Sequence, residues 1–282
     1  MNEIRIPCGD GVISGGHWWP ASADAAAMII VNPATGVLAR YYHRYARFLA
    51  GHGFDVLTYD YRGIGGSRPE RLKGCGYRWR DWGERDFDAA LRFARERRPD
   101  LPVRVVGHSV GGFLPGLADS APLIERILTV GAQHAWWRDY AAERRFRLFL
   151  KWHVAMPALT ALYGYFPGRR LGWLEDLPAA VANEWSFGGP VFPGSPRFAA
   201  VTAPILAVTV SDDELGTEAA VRRTLDYYTA APRIAALIEP ADYGREAIGH
   251  FNLFHDSHAG GFWADTLAWL KEGRNPWRVL AG

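Results

Sequence analysis

Strand-like and helix-like segments alternate along most of this chain, and that alternation limits the folds that it can adopt. Seven segments have the short apolar runs of β-strands. They are residues 12–20, 26–32, 54–61, 103–106, 126–132, 204–210 and 233–240. Segments with helical spacing of apolar residues follow several of them, at 40–54, 85–98, directly after Ser109, and at 218–228 and 260–270. The sequence therefore predicts an α/β fold with a mostly parallel central sheet and helices on both faces.

The alternation breaks between the fifth and sixth predicted strands. Residues 134–198 hold aromatic-rich helical segments that are interrupted by several prolines. An insertion of this length is too long for an idle loop, and segments of this kind often act as lids. We predict a helical cap at 134–198, inserted into a core made of residues 1–133 and 199–282.

The overall composition is that of an ordinary globular protein. Of its 282 residues, 49% are hydrophobic and 22% are charged, with a formal net charge of +2. A dedicated nucleic-acid-binding protein would carry a stronger basic excess, so no nucleic-acid partner is expected. The amino terminus lacks the pattern of a signal peptide, and no apolar run is long enough to span a membrane. We therefore expect a cytoplasmic protein, and the sequence leaves its oligomeric state open.

The stretch Gly107-His108-Ser109-Val110-Gly111 follows the strand at 103–106 and has the form Gly-x-Ser-x-Gly. A serine on a tight strand-to-helix turn is held in a strained conformation and needs small neighbours, which the glycines supply. This context predicts Ser109 as a nucleophile. The alternative is a glycine-rich turn with a bystander serine, and His108 is interpreted as a packing residue.

A serine nucleophile needs a base and an acid that orients the base. The strand at 204–210 runs into Asp212 and Asp213, at the end of a strand where α/β proteins place their sites. His250 lies in a loop after a later strand. The order serine, aspartate, histidine is the one expected for this type of fold.

Four stretches resemble the α/β-hydrolase superfamily, in particular its cap-bearing serine hydrolases of the aminopeptidase and esterase type. They are "VNPATGV", "GHGFDVLTYDYRGIGGS", "GHSVGG" and "IGHF". The resemblance extends over nearly all of the chain outside the predicted cap. It implies a catalytic triad of Ser109, His250 and an aspartate, and Asp213 fits the family position better than Asp212, with Asp212 kept as the alternative.

The predicted oxyanion hole departs from the family pattern. Many members have a His-Gly pair after the third strand, where this chain has Asn32-Pro33-Ala34-Thr35-Gly36. The first backbone donor is expected at Val110, the residue after the nucleophile, and the second at Ala34 or Thr35. Three tryptophans of the insert, Trp136, Trp137 and Trp152, are candidates to line an apolar substrate pocket.

We expect a hydrolase that cleaves a small ester or thioester with an apolar acyl or aromatic part through an acyl-enzyme. No cofactor is expected. No metal site is expected either, since the tract with His250, His255 and His258 lacks a metal-binding spacing. Acyl transfer, amide or aminopeptide cleavage and carbon–carbon bond hydrolysis use the same triad and stay open. A non-catalytic ligand-binding protein on the same fold is the remaining alternative.

Overall fold

Eleven strands are found in residues 1–192 and 197–280, the part of the chain that this computed structural model describes. They are β1 (Asn2–Pro7), β2 (Ile13–Trp19), β3 (Ala27–Asn32), β4 (Phe54–Tyr59), β5 (Val103–His108), β6 (Ile124–Val130), β7 (Tyr165–Phe166), β8 (Leu177–Pro178), β9 (Ile205–Val210), β10 (Arg233–Ile238) and β11 (Arg278–Val279). Residues 193–196 of the predicted cap and 281–282 of the predicted core lie outside the described residues.

Nine of these strands form one sheet, in the order β1-β2-β4-β3-β5-β6-β9-β10-β11. The six strands from β4 to β10 in that order are parallel to one another. Antiparallel pairs close both edges. The predicted α/β class with a mostly parallel sheet is confirmed. The carboxyl end of β5 therefore lies near the middle of the sheet, where α/β proteins build their sites.

Helices cover both faces of the sheet, as predicted. They are α1 (His43–Gly51), α2 (Asp88–Arg97), α3 (Arg145–Phe149), α4 (Met156–Tyr163), α5 (Gly168–Leu171), α6 (Ala179–Ser186), α7 (Glu218–Tyr227) and α8 (Ala264–Leu267). Side chains of β3 show how the two layers form, because Met28 and Ile30 enter one apolar cluster while Ile29 and Val31 enter the other. A strand that is buried on both faces is apolar throughout rather than alternating.

The segment that follows Ser109 differs from the predicted helix. The structure has two short turns of 3-10 helix there, Ser109–Gly112 and Leu114–Leu117, instead of an α-helix. Pro115 cannot donate a helical hydrogen bond, and the adjacent glycines are poor helix formers. The local chain is therefore shaped by close packing rather than by helix propensity.

The segment between β6 and β9 contains the predicted cap. Helices α3 to α6 and the small antiparallel pair of β7 and β8 lie in this segment. A turn of π-helix, Leu150–Ala155, joins α3 to α4. Buried side chains of this segment, among them Trp152 and Trp185, belong to the same apolar cluster as the sheet residues Val105 and Ile127.

Candidate active site

Ser109 occupies a strained turn at the end of the central strand β5. Its φ angle is +54°, in the left-handed region that side chains other than glycine rarely adopt. Two glycines permit the turn. A Cβ on Gly107 would lie 2.5 Å from the carbonyl oxygen of Gly111, and one on Gly111 would collide with the carbonyl of Asn32. The strain thus sits at the residue that the motif predicts as the nucleophile.

His250 and Asp213 are hydrogen-bonded to each other. Nδ1 of His250 lies 2.7 Å from Oδ2 of Asp213, and both side chains are buried. The other oxygen of Asp213 accepts the amides of Leu215 at 2.8 Å and Gly216 at 2.7 Å. Since a carboxylate can only accept, Nδ1 of His250 carries the proton, and Nε2 is left as the basic nitrogen.

The environment of Asp213 favours its charged form. Burial acts to raise the pKa of this carboxyl group, but the charge and hydrogen bond of His250 and the two backbone amides outweigh burial. Its pKa is therefore lowered from the ordinary value. A carboxylate that stays ionised can hold one tautomer of a histidine and stabilise its protonated form.

Asp212, the alternative acid, has a different task. Its two oxygens accept the backbone amides of Ile248 at 2.8 Å and Gly249 at 2.9 Å. These residues directly precede His250, so Asp212 fixes the backbone of the histidine loop and Asp213 fixes the ring. The two aspartates lie in the turn that follows β9, in which the amide of Asp213 donates to the carbonyl of Val210 at 3.0 Å.

A cavity of about 670 Å³ brings Ser109 and His250 to one surface. Ala34 and Thr35 also line it, as do Trp152, Trp173 and Trp185 from the predicted cap. Of the three tryptophans that sequence reasoning selected, Trp152 is among the lining residues and Trp136 and Trp137 are not.

Trp136 and Trp137 lie at the entry to the inserted segment, ahead of its helices. Arg223 lies 4.1 Å from the ring centre of Trp136, and Arg138 lies 5.3 Å from that of Trp137. Their faces therefore stack on guanidinium groups instead of facing the cavity. Position along the chain was a poor guide here, since the tryptophans that reach the cavity come later in the segment. Trp152 lies in the π-helical turn, Trp173 in the bend after α5 and Trp185 in α6.

The candidate oxyanion donors differ in what they already bind. The amide of Ala34 donates to the hydroxyl of Tyr42 at 3.0 Å. Within residues 1–192 and 197–280, the amide of Thr35 has no hydrogen-bond acceptor. Val110 follows Ser109 and is buried at the start of the 3-10 turn. Thr35 is therefore the better placed of the two alternatives for a second donor.

His108 is more than the packing residue that the sequence suggests. Burial, with the nearby His250 charge, lowers the pKa of His108 to about 3, so the ring is neutral. Its Nε2 lies 2.8 Å from the carbonyl oxygen of His250, and its Nδ1 lies 2.7 Å from the hydroxyl of Tyr42. Because a carbonyl only accepts, Nε2 donates and Nδ1 accepts from Tyr42. This chain of bonds links Ala34, Tyr42 and His108 to the backbone of His250.

Gln133 is a second residue that sequence reasoning missed. Its side-chain amide lies 3.4 Å from Oγ of Ser109 and is buried. Gln133 follows β6 closely, at the same edge of the sheet as the turn after β5. The rule that singled out Asp213, a polar side chain after a buried strand, would have found it.

The side chains of His250, His255 and His258 do not cluster in the described ranges. In the described ranges no three metal-ligating side chains lie together. His255 is exposed beside Asp256, and His258 is buried. No helix in these ranges is long and apolar enough to cross a bilayer.

The chain is similar to known hydrolases in sequence and in structure. Residues 23–159 match the family described as serine aminopeptidase, S33. No curated protein matches the sequence.

Solved structures with the same fold include a soluble variant of monoglyceride lipase from Saccharomyces cerevisiae, with a TM-score of 0.65, 14% identity, and coverage of 93% of this chain and 92% of that one. An esterase of Pyrococcus furiosus has a TM-score of 0.60 and 17% identity, over 93% and 90% of the two chains. The α/β hydrolase GrgF from Penicillium has a TM-score of 0.60 and 18% identity, over 96% and 97%. The chain therefore has the α/β-hydrolase fold, and nearly half of its sequence matches the serine aminopeptidase family.

Proposed function

We propose that this protein is a serine hydrolase that cleaves an ester or thioester of an apolar carboxylic acid. The observation that carries the proposal is the cavity that a strained Ser109 shares with His250, whose ring is hydrogen-bonded to the buried Asp213 behind it. The family match and the lipase and esterase neighbours support a hydrolase. Residues 134–198 act as the cap in this proposal, and their tryptophans supply an apolar wall.

In the proposed mechanism Ser109 attacks the substrate carbonyl while Nε2 of His250 takes its proton. Asp213 holds the ring and stabilises the imidazolium that forms. The amides of Val110 and Thr35 bind the oxygen on which negative charge develops. His250 then protonates the leaving group, and an acyl-enzyme results. Water releases the acid in a second step, with His250 again as the base and without a cofactor.

A fluorophosphonate probe tests the proposal directly, because it reacts with serines that a base has activated. Intact-protein mass spectrometry of the wild type should show a single adduct. Ser109→Ala and His250→Ala should both lack it, with circular dichroism showing that they are folded. A folded wild type without an adduct at Ser109 would contradict the proposal and favour a non-catalytic ligand-binding protein.

Tyr42→Phe tests the chain of bonds behind His250. The change removes the hydroxyl that the buried amide of Ala34 and Nδ1 of His108 both use. We expect the free energy of unfolding to fall by about 1–3 kcal/mol. The kcat for an ester should fall by roughly tenfold with KM unchanged, since the backbone of His250 loses part of its support.

Tyr45→Phe is the matched control for this change. Tyr45 is equally buried and donates to Thr266, away from the cavity. Urea unfolding should show a loss of stability for both variants, whereas only Tyr42→Phe should lose kcat. Equal kcat values for the two variants would show that the hydroxyl of Tyr42 does not position His250.

A further inference from the structure

The helical segment that covers the Ser109 cavity places both cationic and apolar side chains on the cavity side. Residues spaced three or four apart line the cavity, from the residue that precedes α3 through the π-helical continuation of this helix. They are Arg144, Arg147, Leu148, Lys151 and Trp152. The opposite side presents Phe146, Leu150 and Val154 to solvent, with exposures of 74%, 42% and 48%. A surface helix ordinarily places its charges in water and its apolar side inward. Arg144 and Arg147 lie at the rim of the cavity and remain 49% and 64% exposed, whereas Lys151 is half-buried in its wall.

The charges on the cavity wall do not cancel. Three cations, Arg144, Arg147 and Lys151, face two carboxylates, Asp212 and Glu214. Glu214 is shared, at 3.3 Å from each of the two arginines. Asp212 is already bound by two backbone amides. One positive charge is left in excess.

Lys151 is the one of these three cations that has no carboxylate partner in the described ranges. Over residues 1–192 and 197–280, no carboxylate lies within 4.0 Å of its ammonium group. Nζ instead lies 4.4 Å from the ring centre of Trp152 and 4.5 Å from that of Trp173. Two indole faces hold a cation in place without neutralising it. The group is thus positioned at the cavity and free to bind an anion.

The environment of Lys151 in the free protein disfavours its charged form. Burial and the charge of Arg147 lower the pKa of Lys151, while Glu214 opposes them. A carboxylate bound at Lys151 would offset both unfavourable effects. The walls of the same cavity include the apolar side chains of Leu148, Trp152 and Trp185.

We propose that the cavity binds an ester or thioester whose apolar part carries a carboxylate, and that Lys151 binds this carboxylate. The inference rests on the proposed function, because it names the substrate class of the same site. Lys151 acts here as a specificity residue and has no part in the chemistry at Ser109.

Two substrate pairs test the inference, each with an anionic and a neutral member. The first pair carries the carboxylate in the acyl part, as the mono-4-nitrophenyl ester of adipic acid against 4-nitrophenyl hexanoate. The second pair carries it in the leaving group, as 4-(butanoyloxy)benzoate against its methyl ester. Wild type should favour the anionic member of at least one pair, and Lys151→Met should lower kcat/KM for that member by roughly tenfold or more. The neutral members should change by less than about twofold, because Met keeps the apolar contacts.

Lys73→Met is the matched control, since Lys73 is exposed, does not line the cavity and carries the same charge. It should leave both pairs unchanged. Raising the salt concentration should reduce the preference of the wild type, as expected for a half-buried ion pair. Equal kcat/KM within both pairs, or a preference that survives Lys151→Met, would overturn the inference and leave the hydrolase proposal intact.

A titration without turnover separates the two proposals. Calorimetry on Ser109→Ala should show that the anionic ester of the pair that the wild type favours binds more tightly than its neutral counterpart. The acyl pair is tested with monoethyl adipate and ethyl hexanoate, and the leaving-group pair with 4-(butanoyloxy)benzoate and its methyl ester. A further Lys151→Met change should remove the difference. If the fluorophosphonate does not label Ser109 but this difference in binding is present, only the hydrolase proposal is rejected. Absence of the difference would reject the carboxylate site whatever the labelling shows.

Discussion

Ser109→Ala should lower the kcat for ester hydrolysis by about 10⁴- to 10⁶-fold. The nucleophile is lost, and the remaining rate comes from binding and the oxyanion donors alone. Steady-state kinetics on a 4-nitrophenyl ester measures the change. Alanine adopts the same strained turn, so the melting temperature should stay within about 3 °C of the wild type.

Ser186→Ala is the control for the Ser109 change. Ser186 is also buried, but its hydroxyl donates to the carbonyl of Ala182 within α6. Its kcat should stay within about twofold of the wild type. An ester hydrolysis that survives Ser109→Ala at more than about one percent would show that another group performs the attack.

Asp213→Asn should lower kcat by about 10⁴-fold at neutral pH. An amide at this position can donate to Nδ1 of His250, which moves the proton to Nε2 and removes the base. Asparagine still accepts the amides of Leu215 and Gly216 through its one oxygen, so the fold should persist. Kinetics at pH 7 and circular dichroism measure the two properties.

Asp212→Asn separates the two neighbouring aspartates. This change weakens the support of Ile248 and Gly249 but leaves the bond between His250 and Asp213 in place. Its kcat should fall by less than about tenfold. A larger loss from Asp212→Asn than from Asp213→Asn would assign the acid to Asp212 instead.

Stability gives a second measure of Asp213. The pKa of this group is lowered in the folded protein, so its ionised form favours folding. That contribution is complete above the ordinary aspartate pKa of about 3.9, and it is lost as the pH falls through the lower folded value. Wild type should therefore exceed Asp213→Asn in urea resistance at pH 5 to 7, and the difference should shrink below about pH 4.

The interior of the sheet was predictable, and its edges were not. The strands β3, β4, β5 and β9 are wholly buried, so their apolar runs stand out in the sequence. β1 was missed because its edge position leaves four of its six residues exposed, and β11 has only two residues. An exposed edge strand needs no apolar pattern, and its pairing depends on the tertiary structure.

Site residues were predictable where local chemistry names them. Ser109 sits in a motif whose spacing follows from the turn itself, and His250 and Asp213 follow strands. The choice between Asp212 and Asp213 depends on how the turn after β9 directs each side chain, which the sequence does not show. Tyr42 meets His108 across 66 positions of sequence. No local sequence pattern predicts a contact of that kind. The position of Arg144, Arg147 and Lys151 at the cavity is likewise not predicted by a local pattern.

The order of the strands has a consequence for synthesis of the protein. The strained turn with Ser109 is synthesised early, directly after β5. Asp213 and His250 are synthesised much later, after β9 and β10. β9 pairs with β6 and β10 pairs with β9, so the base reaches the serine only after these late strands have joined the sheet. A nascent or truncated chain that stops before β9 therefore carries the serine without its base. In the proposed enzyme, hydrolytic activity therefore begins only after the residues through His250 have left the ribosome and folded.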